Sequence, residues 1–472
     1  METMEGDSLP GLFEAMRATA ADLIESVKIG TFWQNETVVF VLWVILAAIL
    51  LALFYSTWMF WRNEIFKEHL GWVVLEIRIP REIAKTARAM EQVLYAIHSL
   101  RNRAADLGEW LWQGEITRWY SLEVVSFGGE VHFYIRTYYK QRPIIESAFY
   151  AYYPDLEIVE VDDYVKARFP KTLQEVHDWG YDMWGAELNF KRPDAYPLKV
   201  HTEFETVDEE KQVDPVANLV EVMGKIHREE IMAVQIIISP ALDEWRKEWE
   251  SLVDKLRDAQ RKDKMKAKTA FIGGPLPAFG VKEEDADLGK NLSRLLMRSP
   301  GETDVLKAVE DNLSKPAFET IIRYIYFSPK SIFYDSFPRR AMLGAFNQYA
   351  DLSLNFFHRN HGVETRTKIW NFPYLFPHKR NDARKYYLLY KYQVRELPHE
   401  TFMGKLLTST LFHWNFHSKT MQMSTSSLAS VFHPPSNMVL TAPHIKRVES
   451  RKAGPPAGIA IFGEEKNLDK FK

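Results

Sequence analysis

The sequence predicts an α+β protein that begins with a membrane-spanning helix. Three observations predict it. No charged residue occurs from Thr37 to Trp61, a run long enough to cross the ~30 Å hydrocarbon layer as a helix. Further on, two stretches alternate period-2 and period-3.6 apolar patterns in the same order, and a charged then Gly/Pro-rich stretch interrupts the second of them.

Composition sets the frame for these elements. At 472 residues the chain exceeds one typical domain, and 46% hydrophobic with 14% aromatic residues fits folded cores rather than extensive disorder. A formal net charge of -3 and a pI near 6.6 supply no global field for nucleic acid, so direct nucleic-acid binding is not expected. The absence of cysteine excludes disulfides, thiolate metal sites and thiol nucleophiles, and fits a reducing compartment.

The first element, residues 1–36, repeats apolar side chains at Leu9, Leu12, Phe13, Met16, Ala20, Leu23, Ile24 and Val27, the stripe of an amphipathic helix. Its polar residues are mostly acidic, which disfavours anionic lipid. Contact with a partner, self-association into a homo-oligomer and a helix resting on the lipid surface are the readings of that stripe. Residues 37–61 form the transmembrane helix, with Trp33 ahead of it and Trp58, Phe60 and Trp61 at its end as interfacial rings. A long acidic segment before a long apolar run is unlike a cleaved signal peptide. Arg62, Lys67, Arg78 and Arg81 follow the span whereas Arg17 and Lys28 precede it. The positive-inside rule therefore predicts a single-pass protein of the cell membrane, with its N-terminus outside and its C-terminal body cytoplasmic.

Residues 62–196 read as a βαββαβ unit. GWVVLEIRIP is a strand and Ala84 to Arg103 a helix; Tyr120 to Ser126 and Val131 to Tyr139 flank the turn at Gly128-Gly129. A helix from Ile144 to Tyr153 and a strand from Leu156 to Val161 complete the order. Residues 197–360 repeat it, with LKVHTEFE as the first strand, a helix opened by Asp214-Pro215, the strand IMAVQIIIS, the strand AFETIIRYIYFSP, a helix from Arg339 to Leu352 and a short strand from Leu354 to Phe357. Between them, about 241–315, lies a helical insertion striped by Trp245, Trp249, Leu252 and Leu256. Both units fit the ferredoxin-like pattern. Residues 361–472 form a mixed C-terminal segment and an extended tail at KAGPPAG.

Catalytic signatures are missing. Gly224-Lys225, Gly289-Lys290 and Gly404-Lys405 are followed by Ile, Asn and Leu, so no P-loop exists, and Gly-x-Ser-x-Gly does not occur. His413 and His417 stand at i, i+4, but Trp414 occupies the place a metalloprotease needs for Glu, and His358 and His361 bring no further ligand by spacing. The acidic runs VEVDDY (Val159 to Tyr164) and VDEEK (Val207 to Lys211) read as solvated strand ends. No catalytic, cofactor-binding or metal-binding residue is therefore predicted. On the strand VHFYIRTYY, alternation puts Val131, Phe133 and Ile135 in the core and leaves His132, Tyr134, Arg136 and Tyr138 on an outer face. Tyr134 and Arg136 there, with Trp245 and Trp249 on the insertion, are the candidate partner-docking residues. For the tryptophans, covering the chain's own sheet is the plainer role.

The phrases IPREIAKTARAMEQVLYAIHSLRN, DPVANLVEVMGKI, LSKPAFETIIRYIYFSP and LGAFNQYADLSLNFF give the chain a resemblance, over roughly 70–445, to the ATPase-free N-terminal region of conjugation and type IV secretion proteins of the VirB4/VirD4/TraG kind. MSTSSLASVFHPP, Met423 to Pro435, keeps the frame of a phrase those proteins carry near their motor domain, with Ser426 and Ser427 in place of an acidic pair. The resemblance implies a non-catalytic membrane component that docks a separate cytoplasmic P-loop ATPase. The alternative expectation is a membrane-anchored enzyme or ligand sensor whose site lies between modules.

Overall fold

A computed structural model describes residues 36–80, 86–204, 213–242, 244–257, 300–366, 374–409, 412–413, 416–436 and 447–448. The expected N-terminal amphipathic helix, the run VDEEK and the tail KAGPPAG lie outside them.

Helix α1, Glu36–Glu68, is longer than the expected span. Its 33 residues reach about 50 Å at ~1.5 Å per residue, well beyond the hydrocarbon layer. Phe40, Trp43, Leu51 and Phe54 are 65–68% exposed, so nothing in the described chain covers the apolar part. One N-terminal helix is thus long and apolar enough to cross a membrane.

A single mixed, largely antiparallel sheet follows. The strands are β1 (Trp72–Pro80), β2 (Tyr120–Phe127), β3 (Glu130–Tyr138), β4 (Glu157–Val161), β5 (Tyr181–Phe190), β6 (Ile231–Pro240), β7 (Ala317–Pro329), β8 (Phe357–Arg359), β9 (Met421–Ser424) and β10 (Arg447–Val448). The first four lie in the order β4-β1-β3-β2 and the next four in the order β6-β7-β5-β8, and an antiparallel β2–β6 pairing of eight residues fuses them. All of these neighbours are antiparallel; β9 adds to β7, and β10 pairs parallel with β1.

The order of elements from β1 to β4 is the one expected, with α2 (Ala87–Ser99) and α3 (Arg142–Tyr152) between strands. The second stretch needs a correction. LKVHTEFE is no strand: residues 198–200 are irregular and His201–Glu203 make a single 3-10 turn. The strand that stands in its place is β5, which pairs with β7 on the side away from β6 and begins at Tyr181, ahead of the expected division at 196/197. Its sequence YDMWGAELNF hides the strand signal, because both faces are covered and Gly185 sits at its centre. A Cβ at Gly185 would stand 2.6 Å from the Tyr324 carbonyl oxygen and 2.6 Å from Leu388 Cδ2, so glycine is what lets a helix cross there.

Helices cover both faces. On one, α2 and α3 join α6 (Ala217–Gly224), α9 (Ser336–Asn347) and α12 (Thr425–Val431) over Ile77, Leu122, Phe133, Ile236, Ile322 and Trp184 in the main core. On the other lie α4 (Tyr164–Arg168), α5 (Leu173–Asp178) and α10 (Pro377–Val394). That second layer corrects the expectation of an open outer face: Tyr134 is buried and its ring stacks on Tyr164 at 4.9 Å. The phrase Met423 to Pro435 is likewise interior, as β9, α12 and the segment after it. Within the insertion, α7 (245–257) and α8 (Pro300–Ser314) are described.

Candidate functional site

Each central strand carries a polar side chain at one shared level of the sheet, and the pairing aligns them. Glu76 on β1 faces Tyr134, Tyr134 faces Glu123 on β2, Glu123 faces Gln235 on β6, Gln235 faces Arg323 on β7, and Arg323 faces Glu187 on β5. A polar file therefore crosses the sheet beneath α10. Its central members are 0–1% exposed, so each charge requires a partner.

The partners come from the C-terminal end of α10. Arg395, in left-handed backbone conformation at φ 57°, caps that helix and donates from Nε and Nη2 to Glu123 at 2.7 and 3.0 Å. Its Nη1 donates to both oxygens of Asp163 at 2.9 and 2.8 Å. Ser121 and Tyr164 also donate to Glu123, at 2.6 and 2.8 Å, and Tyr392 meets the Tyr164 hydroxyl at 2.7 Å. On the far side Arg323 Nε donates to Glu187 at 2.7 Å and Nη1 to the carbonyl of Lys391 at 3.1 Å, while Ser418 donates to Glu187 at 2.7 Å.

Burial opposes ionisation of Glu123, yet the Arg395 charge and its hydrogen bonds outweigh it and hold the carboxyl below the usual range. Asp163 behaves alike: burial raises it, the Arg395 guanidinium lowers it more. Asp163 also accepts from the Val165 amide at 3.0 Å and so caps α4. The reading of VEVDDY as a solvated strand end thus misses Asp163.

Two cavities flank this network. One of about 940 Å³ is bounded by Arg136, Asp163, Lys166, Arg395, Glu396 and the end of α1 at Lys67. Arg136 lies over the Trp72 ring at 4.0 Å, and its Nη1 is buried with no hydrogen-bond partner among the described residues. Burial, and then the nearby Arg395 charge, push its guanidinium down to about 10. The second cavity, about 600 Å³, lies beside Arg323 and Lys391. Glu396 borders both and receives Lys67 at 3.2 Å.

The sequence-predicted docking residues fall into two groups. Trp245 is buried and donates to the Lys315 carbonyl at 3.2 Å, and Trp249 to Gln422 at 3.4 Å; both pack with α8 against Leu306, Val309 and Leu313. They cover the chain's own sheet edge. Tyr134 and Arg136 lie in the second layer, Arg136 at the larger cavity. The histidine pairs do not converge: His413 stacks on Tyr387 at 4.3 Å in a turn, residues 416–420 are irregular, and His361 Nδ1 meets Glu364 at 3.3 Å. Among the described residues no group of three metal-ligating side chains assembles. Glu123, Glu187, Gln235 and Arg323 were missed as site residues; their linear signal is a lone charge or amide inside SLEVV, GAELN, AVQII and IIRYI.

The fold and its buried ion network define an α+β protein that has one N-terminal helix long and apolar enough to cross a membrane and a polar layer between its sheet and α10. Residues 62–357 match the family described as a domain of unknown function (DUF8128), well over half of the chain, and the chain belongs to that family. The match spans β1 to the start of β8 and includes Glu123, Asp163, Glu187, Gln235 and Arg323, whereas α10 and Arg395 lie beyond it. No curated protein matches the chain.

Proposed function

We propose that this chain is a non-catalytic, membrane-anchored component of a conjugation-like or type IV secretion-like system that docks a separate cytoplasmic P-loop ATPase. The observation that carries the anchored scaffold is the junction between α1 and the body. The helix continues unbroken out of its bare apolar part, and its last turns are bonded to the body. Ser56 Oγ accepts from the Met403 amide at 2.7 Å and Trp58 Nε1 donates to the Leu111 carbonyl at 2.8 Å. Gly114, at φ 68°, lies so close to the Arg62 backbone that a Cβ would come within 2.5 Å of it. Such a junction supports a sheet held in one orientation to the apolar helix, as a docking platform requires. The ATPase partner rests on the sequence resemblance and the missing P-loop, and the inward-facing body on the Lys/Arg excess after the span.

We read the sheet as two ferredoxin-like modules fused through β2 and β6. The orders β4-β1-β3-β2 and β8-β5-β7-β6 support this, each being that of a βαββαβ unit. Crosslinking in cells, mild detergent extraction and mass spectrometry test the function: a P-loop ATPase should be recovered with the chain, and its absence across crosslinkers of several lengths refutes the reading.

The 940 Å³ cavity with the unpartnered Arg136 nitrogen favours a second reading, a ligand sensor at the membrane. Ligand-dependent thermal stabilisation that Arg136→Met abolishes supports it; no response to nucleotides, metals or organic anions opposes it.

A further inference from the structure

The smaller cavity lies where the body meets the end of the anchor. Its wall includes α11 (Phe402–Leu407) with Thr408 and Ser409, the last turn of α10 at Lys391, and residues 416–420. Through Met403, α11 is bonded to Ser56 of α1, and His399, also lining the cavity, packs edge-on against Phe60 at 5.2 Å. The opening therefore sits beside the last turns of the apolar helix.

Its charge is one-sided. Arg323, Lys391, Lys405 and Lys419 line it against the single carboxylate Glu396, which Lys67 already pairs at 3.2 Å. Arg323 is committed to Glu187, whereas Lys391 makes no hydrogen bond or close ion pair through its ammonium among the described residues. It is 7% exposed, and among the described residues its ammonium has no carboxylate or carbonyl partner, only the Tyr390 ring at 5.9 Å. Burial, and then the Arg323 charge, lower its pKa, and the more distant Glu396 and Glu187 charges offset this only in part. A second polar group is also left over: Ser409 Oγ is buried without a hydrogen-bond partner among the described residues. The fold thus keeps a buried cation and a hydroxyl donor in a cavity of about 600 Å³, walled elsewhere by Phe416 and Pro398.

We propose that this cavity binds a phosphate group, with Lys391 as its buried counter-ion, Ser409 as a hydroxyl donor, and Lys405 and Lys419 at the rim. An oxyanion with several acceptor oxygens satisfies the ammonium and the hydroxyl together. The group comes from an anionic phospholipid at the adjacent membrane surface or from free phosphate in solution, and the same residues serve either source. The site stands whichever partner the body docks.

The full chain in mild detergent, titrated by calorimetry, tests this. Three probes are used: inorganic phosphate, short-chain phosphatidylglycerol and short-chain phosphatidylcholine. Saturable binding of inorganic phosphate identifies the free ion as the source; binding of phosphatidylglycerol alone identifies the lipid. In either case Lys391→Met should weaken binding at least tenfold. The rim variant K405Q/K419Q changes only exposed side chains, should weaken it several-fold, and decides the matter if the Lys391 variant does not fold. No binding of any probe, or affinities within twofold of the parent in both variants, overturns the proposal.

Discussion

Replacing Arg395 by Met tests the ion network at its centre. The guanidinium makes four charge-assisted hydrogen bonds to two carboxylates, of which Glu123 is fully buried and Asp163 keeps 19% side-chain exposure. Deleting one partner of a buried pair costs about 3–5 kcal/mol, mostly by stranding the other charge. Asp163 recovers some solvent, so the larger part of the loss falls on Glu123. Backbone strain does not enter, because Met at φ 57° is as strained as Arg. Equilibrium urea unfolding of the full chain in mild detergent, followed by tryptophan fluorescence, should show R395M less stable by ~3–5 kcal/mol. The double variant E123Q/R395M, which no longer buries an unpaired carboxylate at residue 123, should be more stable than R395M alone. A loss below ~1 kcal/mol, or a double variant no better than the single, refutes the claim that these charges depend on one another.

Asp214 gives a pH prediction. It accepts from the Val216 amide at 2.9 Å, from His433 Nε2 at 3.0 Å and from the Ser436 amide at 2.8 Å. Although burial opposes ionisation, His433 and these donors lower its pKa to about 2. A depressed carboxyl stabilises the fold above its unfolded value near ~4 and loses that contribution as pH falls through the folded value. The unfolding free energy from urea titrations should therefore drop between pH 4 and 2, by roughly 2 kcal/mol from this group, and Asp214→Asn should flatten that part of the profile. At Gly185 any side chain meets Leu388 and the Tyr324 carbonyl, so Gly185→Ala should cost about 1–3 kcal/mol, read as a lower thermal midpoint.

How much of this was legible in the sequence depends on which physics wrote the signal. Strands β1, β2 and β3 and helices α2 and α3 announce themselves because their apolar residues recur at the element's own period, and β6 and β7 because they are long, nearly unbroken apolar runs. Strand β5 does not. Its burial is set by helix α10, whose Leu388 lies 203 residues beyond Gly185 (388 minus 185), and only that contact makes sense of its composition. LKVHTEFE alternates like a strand, yet the chain turns at His201, whose backbone amide donates to Ser430 Oγ at 2.7 Å. The site divides in the same way. Glu123, Gln235, Arg323 and Glu187 could have been found by asking why strands buried on both faces hold a charge or an amide near their middle. Arg395 and Lys391 could not, since they end a helix whose amphipathic stripe is weak, and the carboxylate partners of Arg395 lie more than 200 residues upstream. Tyr134 and Arg136 were assigned correctly to the face opposite Phe133, but nothing local reveals that α4, α5 and α10 cover that face.

The central claim, a body held to the inner face of a membrane by α1, has a direct test because the chain contains no cysteine of its own. Two single-cysteine variants suffice, Ser8→Cys ahead of the span and Ser331→Cys in the exposed turn after β7. They are treated with a membrane-impermeant maleimide in intact and in permeabilised cells. The account predicts that Ser8→Cys is labelled in intact cells and Ser331→Cys only after permeabilisation. Labelling of Ser331→Cys in intact cells, or recovery of the chain in the soluble fraction, contradicts it.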